Sequence, residues 1–231
     1  MKILMTKNKI SLIIFDMDGL IFDTEMIAIQ AWKKAGEKLG YNFEQNYLIE
    51  TIGKDIRDTQ RVFEKYYSKD FPFNEIRKLS DKYAFKYIEE NGIPVKEGLH
   101  DLLDYLEENK VLKALATSSE RKKVKKYLTF ANIENRFDCI VCGDEVIKGK
   151  PDPEIFIKVA QNTGFKPDEC IVLEDSENGV IAASGAGMRP IFILDIMRLS
   201  KDAKNLLFKE FYSLVEVKDY FKLVTIGKPL Y

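Results

Sequence analysis

The sequence lacks the features that mark several classes of protein. Its 231 residues include only three cysteines, which are too few for a disulfide framework, so the cytoplasm is the expected location. Lys and Arg number 36 while Asp and Glu number 37, and this balance gives no electrostatic reason to expect nucleic acid as a partner. No apolar run approaches the length of a membrane span, so a membrane partner is not expected either.

A signal peptide and a metal-binding cysteine pair are also not indicated. Lys7 and Lys9 interrupt the apolar N-terminal stretch, and no small-residue cleavage site follows, so no leader is expected. Cys139 and Cys142 lie three positions apart in a predicted strand, where such side chains point to opposite faces. We therefore expect two buried structural thiols rather than a chelating pair.

What the sequence does contain is a short apolar run that ends in closely spaced acids. The run from Leu12 to Phe15 predicts a buried strand, and Asp16, Asp18 and Gly19 follow it directly. Two carboxylates at a strand end repel each other and are costly to desolvate, so they need a cation or a shared proton. Taken alone, the stretch fits two solvated loop acids equally well, because a short motif carries a real risk of a false match.

The predicted secondary structure of the rest of the chain changes near Pro94. Residues 21–92 are strongly charged and predict helices, which we interpret as a helical insertion after the first strand. Beyond them strands and helices alternate for about a hundred residues, which is typical of an α/β protein with a parallel sheet covered on both faces. The predicted units are therefore a core of residues 1–20 and 93–231 and an insertion of residues 21–92. The later strands are predicted at residues 111–116, 138–142, 170–173, 190–194 and, more weakly, 211–215.

Polar residues follow four of the predicted strands, in the loops just after each strand ends. They are Asp16 with Asp18, Thr117, Lys150, and Glu174 with Asp175. Parallel strands share one carboxyl edge, so these six groups are expected to converge on one crevice. Four acids outnumber one lysine there, and a cluster of carboxylates favours a hard divalent cation, with Mg²⁺ as the best fit. The cation and Lys150 could then neutralise a phosphoryl group, and the backbone N–H groups after Thr117 could bind it.

Four motifs, in order and in context, carry a resemblance to a known family. They are DMDGLIFDTE, ALATSS, GKPDPEIF and VLEDSENGV, and they span residues 11–187. Together they resemble the haloacid dehalogenase (HAD) superfamily, and in particular the subgroup of β-phosphoglucomutase and small sugar-phosphate phosphatases. The resemblance implies a Rossmann-like core in which the helical insertion forms a mobile cap that closes over the site.

The resemblance also implies roles for individual residues. Asp16 would be the nucleophile and Asp18 the general acid that later acts as a base. Mg²⁺ would be held by Asp16, Asp175 and the backbone carbonyl of Asp18, and Glu174 would assist directly or through water. The implied catalytic set is Asp16, Asp18, Thr117 and Lys150. The predicted phosphate- and substrate-binding set is Gly19, Thr117, Ser118, Ser119 and Lys150, with Lys54 and Arg57 from the cap.

Other charged residues are given no catalytic role. His100, the only histidine, lies on the polar side of its helix and is expected at the surface. A run of lysines in the next helix is expected to form a solvated face. These lysines are Lys122, Lys123, Lys125 and Lys126.

Three functions remain open at this point. Asp18 favours phosphate over halide chemistry, because halide displacement has no leaving alkoxide to protonate. The first hypothesis is therefore a Mg²⁺-dependent phosphatase, expected to be monomeric, that acts on a small phosphorylated sugar or a similar metabolite. The alternative is a β-phosphoglucomutase, although Arg57 comes one residue later than expected for the mutase and no clear match for its cap lysine is present. A non-catalytic phosphate sensor is the third hypothesis, and the presence of both Asp16 and Asp18 argues against it.

Overall fold

A six-stranded parallel sheet forms the centre of the molecule, which is a computed structural model that describes residues 10–224. The prediction that no leader is present depends partly on residues 1–9, which lie outside this range. The strand order is β3-β2-β1-β4-β5-β6, which confirms the predicted Rossmann-like α/β class. The strands are β1 (Leu12–Phe15), β2 (Leu112–Thr117), β3 (Cys139–Cys142), β4 (Cys170–Glu174), β5 (Arg189–Ile193) and β6 (Lys209–Phe211).

Helices cover both faces of this sheet and also form a separate layer beyond its carboxyl edge. The helices before β2 are α1 (Glu25–Lys38), α2 (Gln45–Ile49), α3 (Ile56–Tyr66), α4 (Phe73–Asn91) and α5 (Leu99–Glu108). Those after β2 are α6 (Arg121–Phe130), α7 (Glu154–Thr163), α8 (Glu177–Gly185), α9 (Lys201–Lys204) and α10 (Leu214–Leu223). No helix of the described residues is long and apolar enough to cross a membrane.

Successive side chains of β1 point to opposite faces of the sheet and pack into two apolar layers. Ile13 and Phe15 pack on one face with α5, α6 and α10, while Leu12 and Ile14 pack on the other face with α7 and α8. All four side chains have no exposed surface. A strand that is buried on both faces reads as a continuous apolar run, and this explains why LIIF carries no polar residue.

The register of β1 determines which residues meet at the carboxyl edge. Phe15 lies beside Leu115 of β2 and Leu173 of β4. Asp16 therefore follows at the same level as Ala116 and Glu174, because parallel strands advance together. The predicted convergence of distant polar groups is thus a direct consequence of strand pairing.

Residues 25–91, called the helical unit from here on, have an apolar core of their own. Phe43, Phe63, Phe71 and Phe73 pack there with Trp32, and the rings of Trp32 and Phe63 stack with centroids 4.7 Å apart. Aromatic side chains bury large areas, so four short helices can form a stable layer with few residues. The division into a core of residues 1–20 and 93–231 and a mobile cap of residues 21–92 stays a prediction.

Two short segments connect the helical unit to the sheet, and they run side by side. The Asp23 amide donates to the Pro94 carbonyl at 2.9 Å, and the Lys96 amide donates to the Ile21 carbonyl at 2.9 Å. Phe22 pairs with Val95 as an antiparallel bridge between these bonds. The chain therefore leaves the sheet and returns to it through one hydrogen-bonded crossing.

The last predicted strand is wrong in its position. The strand covers Lys209–Phe211, and residues from Leu214 onward form α10 instead of continuing to residue 215. Leu214, Val217 and Phe221 are buried at helical spacing, and the Ser213 hydroxyl accepts from the Glu216 amide as an N-cap. The apolar residues after Ser213 thus follow a helical period, which the strand interpretation overlooked.

Two smaller expectations have separate outcomes. His100 is exposed, as predicted. Cys142 is buried and burial raises the pKa of its thiol to about 12, whereas Cys139 is only half-buried. Neither cysteine forms a disulfide within the described residues.

Candidate active site

Lys150 joins two of the strand-end acids in a buried cluster. Its ammonium lies 2.5 Å from Asp16 Oδ1 and 2.5 Å from Glu174 Oε1, and it also donates to the Ala116 carbonyl at 3.0 Å. Lys150 and Glu174 are 2% and 0% exposed, so the ammonium of Lys150 is shielded from solvent. Burial of this kind is stable only when each charge is paired, and the two carboxylates raise the pKa of Lys150 although burial alone would lower it.

Glu174 is fixed on both sides of its carboxylate. Its second oxygen accepts from the Ser176 amide at 3.2 Å and from the Ser176 hydroxyl at 3.0 Å. Gly179, at the start of α8, is packed against this group so closely that a Cβ there would lie 1.9 Å from Glu174 Oε1. Only glycine leaves room for the acid, so close packing explains why the SENG sequence after the strand ends in glycine.

Asp16 and Asp175 carry charges that burial disfavours. Burial raises the pKa of Asp16 to about 7, although the ammonium of Lys150 pulls it down. Burial, followed by the charges of Asp16 and Glu174, raises the pKa of Asp175 well above its ordinary value. Such a group of carboxylate oxygens is the donor set that a hard divalent cation prefers.

A further observation supports the fit to a cation. Asp195, just after β5, has a buried carboxylate oxygen with no hydrogen-bond partner among residues 10–224. A buried acceptor without a donor is costly, and a metal ion with its water ligands would remove that cost. The residues present therefore fit a divalent metal ion beside Asp16 and Asp175.

Asp18 has its own hydrogen-bond partners, which differ from those of Asp16 and Glu174. It accepts hydrogen bonds from Thr24 Oγ1 at 2.9 Å, Ser119 Oγ at 2.7 Å and Lys123 Nζ at 2.9 Å. Burial would raise the pKa of Asp18, but Lys123 and the two hydroxyls outweigh burial and lower it. These three partners thus hold the carboxylate in its ionised form.

The roles of two of these partners are set by tertiary structure. Thr24 occupies the N-cap position of α1, but its hydroxyl forms no cap hydrogen bond and turns to Asp18 instead. Lys123 was expected on a solvated face with Lys122, Lys125 and Lys126. That interpretation is wrong for Lys123, whose ammonium reaches Asp18 across 105 residues of sequence.

The loop after β2 carries hydrogen-bond donors that suit an anion. Thr117 is buried, and its hydroxyl accepts from the Ser119 amide at 3.1 Å, which leaves the hydroxyl proton free to donate. Gly143 packs against this loop so closely that a Cβ there would lie 2.2 Å from the Ser118 carbonyl oxygen. The predicted phosphate-binding residues Thr117, Ser118 and Ser119 all line the same cavity as Asp16.

That cavity has a volume of about 880 Å³ and lies between the carboxyl edge of the sheet and the helical unit. Lysines and an arginine make up much of its wall, some from the helical unit and some from α6. These cations are Lys54, Arg77, Lys78, Lys82, Lys122 and Lys126. The predicted Lys54 is therefore at the cavity, and the wall favours an anionic occupant.

Gly19 and Arg57 are placed differently from the other predicted binding residues. Gly19 has φ of 84° and packs against Asp175, so it gives room to the acid cluster instead of lining the cavity. Arg57 is outside the cavity lining, and its guanidinium contacts Asp55 at 2.9 Å and the Ile147 carbonyl at 2.5 Å. In this arrangement Arg57 holds the helical unit against the sheet.

Sequence reasoning missed Glu25, which lines the cavity from the first turn of α1. Burial, followed by the charge of Asp18, raises the pKa of Glu25 to about 8. Its position at the end of the motif DMDGLIFDTE was the only sequence signal, and a helix-initiating acid explains that signal equally well.

Fold and site together define an α/β enzyme whose acids, lysine and hydroxyls meet at the carboxyl edge of a parallel sheet. The model of the haloacid dehalogenase-like hydrolase family matches residues 13–193, and the chain belongs to that family. It is accordingly a phosphohydrolase or phosphotransferase, as the resemblance implied.

The relatives agree with this class. The chain is 28% identical over 213 residues to a phosphorylated carbohydrates phosphatase of Thermotoga maritima, covering 92% of this chain and 97% of the relative. It is 32% identical over 217 residues to a probable pseudouridine-5'-phosphatase of Drosophila melanogaster, covering 91% and 93%. The crystal structure of a putative β-phosphoglucomutase from Thermotoga maritima has a TM-score of 0.75 and 25% identity, covering 93% and 99%.

Proposed function

We propose that the protein is a Mg²⁺-dependent phosphatase of a small phosphorylated sugar or a similar metabolite, acting through an aspartyl-phosphate. The observation that carries this proposal is the buried contact of Lys150 with both Asp16 and Glu174, in a cavity that the loop after β2 also lines. It supplies a nucleophile and a fixed cation within one hydrogen bond of each other. The names of the phosphatase relatives support the same substrate class.

In the first half-reaction a carboxylate oxygen of Asp16 attacks phosphorus. The new O–P bond forms while the bond from phosphorus to the ester oxygen breaks, and Asp18 gives its proton to that leaving oxygen. Because the three partners of Asp18 hold it ionised, it must take up a proton and leave Lys123 before it can act as an acid. The Thr117 hydroxyl and the Ser118 amide hold the phosphoryl oxygens during the transfer, while the Ser119 amide orients the Thr117 hydroxyl.

In the second half-reaction water replaces Asp16 on phosphorus. Asp18, now ionised, takes a proton from the water as the oxygen of the water attacks, and inorganic phosphate leaves. The contacts with Thr24, Ser119 and Lys123 are suited to this step, since they orient the ionised form. Mg²⁺, held by Asp16, Asp175 and the backbone carbonyl of Asp18 with Glu174 nearby, would neutralise the charge of the phosphoryl oxygens.

The nucleophile assignment can be tested with a generic phosphomonoester such as p-nitrophenyl phosphate. Asp16→Asn should reduce kcat/KM by roughly a thousandfold or more, because the amide cannot form the phosphoenzyme. Asp70→Asn, at an exposed position in the helical unit, is the matched control and should retain full activity. Equal cleavage by the wild type and by Asp16→Asn would show that the proposed site is wrong.

A β-phosphoglucomutase remains the second candidate, because a structure with that printed name has the same fold. The placement of Arg57 counts against it, since in this arrangement its guanidinium contacts Asp55 and the Ile147 carbonyl instead of lining the cavity. Time courses with β-glucose 1-phosphate and a trace of glucose bisphosphate distinguish the two. We expect release of inorganic phosphate, and rapid formation of glucose 6-phosphate with little free phosphate would favour the mutase.

A further inference from the structure

Asp195 brings an unused carboxylate oxygen to the edge of the proposed metal site. It follows β5, the neighbour of β4, and its carboxylate lies near Asp175 at the carboxyl ends of these two paired strands. Its side chain is 13% exposed, and Oδ2 is fully buried without a hydrogen-bond partner among residues 10–224. A buried carboxylate oxygen in this condition is costly unless a donor or a cation approaches it.

The position of Gly19 shows where that oxygen points. A Cβ built on Gly19 would lie 3.2 Å from Asp195 Oδ2 and 2.1 Å from Asp175 Oδ2. One carboxylate oxygen from the residue after β4 and one from the loop after β5 therefore lie near the same point beside Gly19. The charge of Asp195 is also among those that raise the pKa of Asp175, after burial and the charges of Asp16, Glu174 and Glu25. Two negative charges that lie close together are stabilised by positive charge between or beside them.

Lys96 keeps Asp195 in this orientation. Its ammonium lies 2.6 Å from Asp195 Oδ1 and 3.3 Å from Asp23 Oδ1. Lys96 and Asp23 belong to the two segments that connect the helical unit to the sheet, so the side chain is anchored at the crossing. With Oδ1 occupied by Lys96, the remaining oxygen stays directed at Gly19 and Asp175.

We propose that Asp195 is a positioning residue of the metal site, accepting through Oδ2 a hydrogen bond from a water molecule bound to the divalent cation. Mg²⁺ retains several of its water ligands in proteins, and those waters need acceptors. Acceptors around the first ligands orient them, and their loss typically costs 10- to 100-fold in metal affinity. This inference rests on the proposed function, because it takes the cation beside Asp16 and Asp175 as its starting point.

The test is Mg²⁺ binding by the metal-free, full-length protein, measured by isothermal titration calorimetry and by the rise of the melting temperature with Mg²⁺. Asp195→Asn keeps the shape of the side chain and removes its charge, and it should weaken Mg²⁺ binding by roughly 10- to 100-fold. At saturating Mg²⁺ its kcat should return to within a few-fold of the wild type. Asp202→Asn, exposed at the start of α9, is the matched control and should bind Mg²⁺ normally.

A merely structural role would give a different pattern. Asp195→Asn would then melt at a lower temperature in metal-free buffer and bind Mg²⁺ with wild-type affinity, and this result would overturn the inference. Asp195→Ser, which leaves space for a water, takes the place of the first variant if that variant does not fold, with the same expected loss of affinity and the same contradicting result.

Asp175→Asn separates this inference from the proposed function. If Asp175→Asn abolishes Mg²⁺ binding while both Asp195 variants bind normally, the metal site stands and the role of Asp195 is refuted. If the wild type itself binds no Mg²⁺, the metal site and the inference are both refuted. Loss of binding in Asp175→Asn, with the partial loss in Asp195→Asn, supports both.

Discussion

The two walls of the cavity are built on different physical principles. At the sheet edge the charged groups are buried and bonded to one another, as in the contacts of Lys150 with Asp16 and Glu174. On the helical unit the cavity is lined by exposed cations such as Lys78 and Lys82, for which no ion pair is found within residues 10–224. One wall therefore has fixed geometry, whereas the other has adaptable charge.

This difference suggests a division of work between the two walls. A group buried in a satisfied network is held in position before the substrate arrives, which is what a reaction centre needs. An exposed lysine is screened by water and salt, so it can attract an anionic substrate but contributes little precise orientation. We expect the chemistry to depend on the sheet edge and the choice of substrate to depend on the helical unit.

The largest effect is expected from Lys150→Met, which removes the cation from the buried network. The free energy of unfolding should fall by about 3–5 kcal/mol, because two carboxylates lose their partner in a dry site. That change corresponds to a fall of roughly 10 °C in melting temperature, with a loss of activity of at least about a hundredfold. Calorimetry and phosphate release would measure both.

Lys148→Met is the control for this variant. Lys148 lies in the same loop, but its side chain is 70% exposed and pairs with Asp152 only at 3.5 Å. It should change the melting temperature by less than about 2 °C. If the two variants behave alike, the contrast between a buried and an exposed wall does not hold.

An intermediate effect is expected from Lys123→Met, which tests the electrostatic support of Asp18. The first half-reaction needs protonated Asp18, so kcat/KM should fall as pH rises above the pKa of this residue. Lys123 lowers that pKa, against the opposite effect of burial, so its removal should move the fall to higher pH. We also expect kcat to decrease by roughly tenfold, because the second half-reaction loses an orienting contact.

Lys125→Met serves as the comparison for the pH profile. Lys125 is exposed on the same helix and does not line the cavity, so its loss changes the charge of α6 without touching Asp18. Its profile should overlay that of the wild type. An unmoved profile in Lys123→Met would show that Lys123 does not control Asp18.

The smallest effect is expected from the double variant Lys78→Ala/Lys82→Ala on the helical unit. KM for a phosphorylated sugar should rise by less than about tenfold with kcat nearly unchanged, and the difference should shrink as salt is added. Lys86→Ala is the matched control on α4, because Lys86 pairs with Glu90 and lies outside the cavity lining. A fall in kcat as large as the rise in KM would break the proposed division of work.

Much of the sheet edge could be predicted from the sequence. Asp16, Thr117 and Glu174 each follow a short apolar run and Lys150 lies in the loop after another, and the parallel strands that those runs predict must end at one edge. The position of Lys123 could not be predicted in this way. Lys122, Lys123, Lys125 and Lys126 look equivalent in sequence, and only the packing of α6 beside the β1 loop directs one of them to Asp18.

Asp195 illustrates the same limit at the far side of the site. It follows a predicted strand, as the other acids do, but no recognisable motif surrounds it. Its position beside Asp175 depends on the pairing of β4 with β5, and its orientation depends on Lys96, which is 99 residues away in sequence. Long-range pairing of this kind leaves no local signal.

The sequence by itself determined the alternation of strands and helices, the family, and the acids that would meet at the carboxyl edge. These features follow from local periodicity and from the common direction of parallel strands, which are properties of short segments. Tertiary structure alone decided which charges are buried, which lysine reaches Asp18, and which oxygen of Asp195 has no donor within residues 10–224. Burial and partnership depend on neighbours that are distant in the chain, so no single segment carries that information.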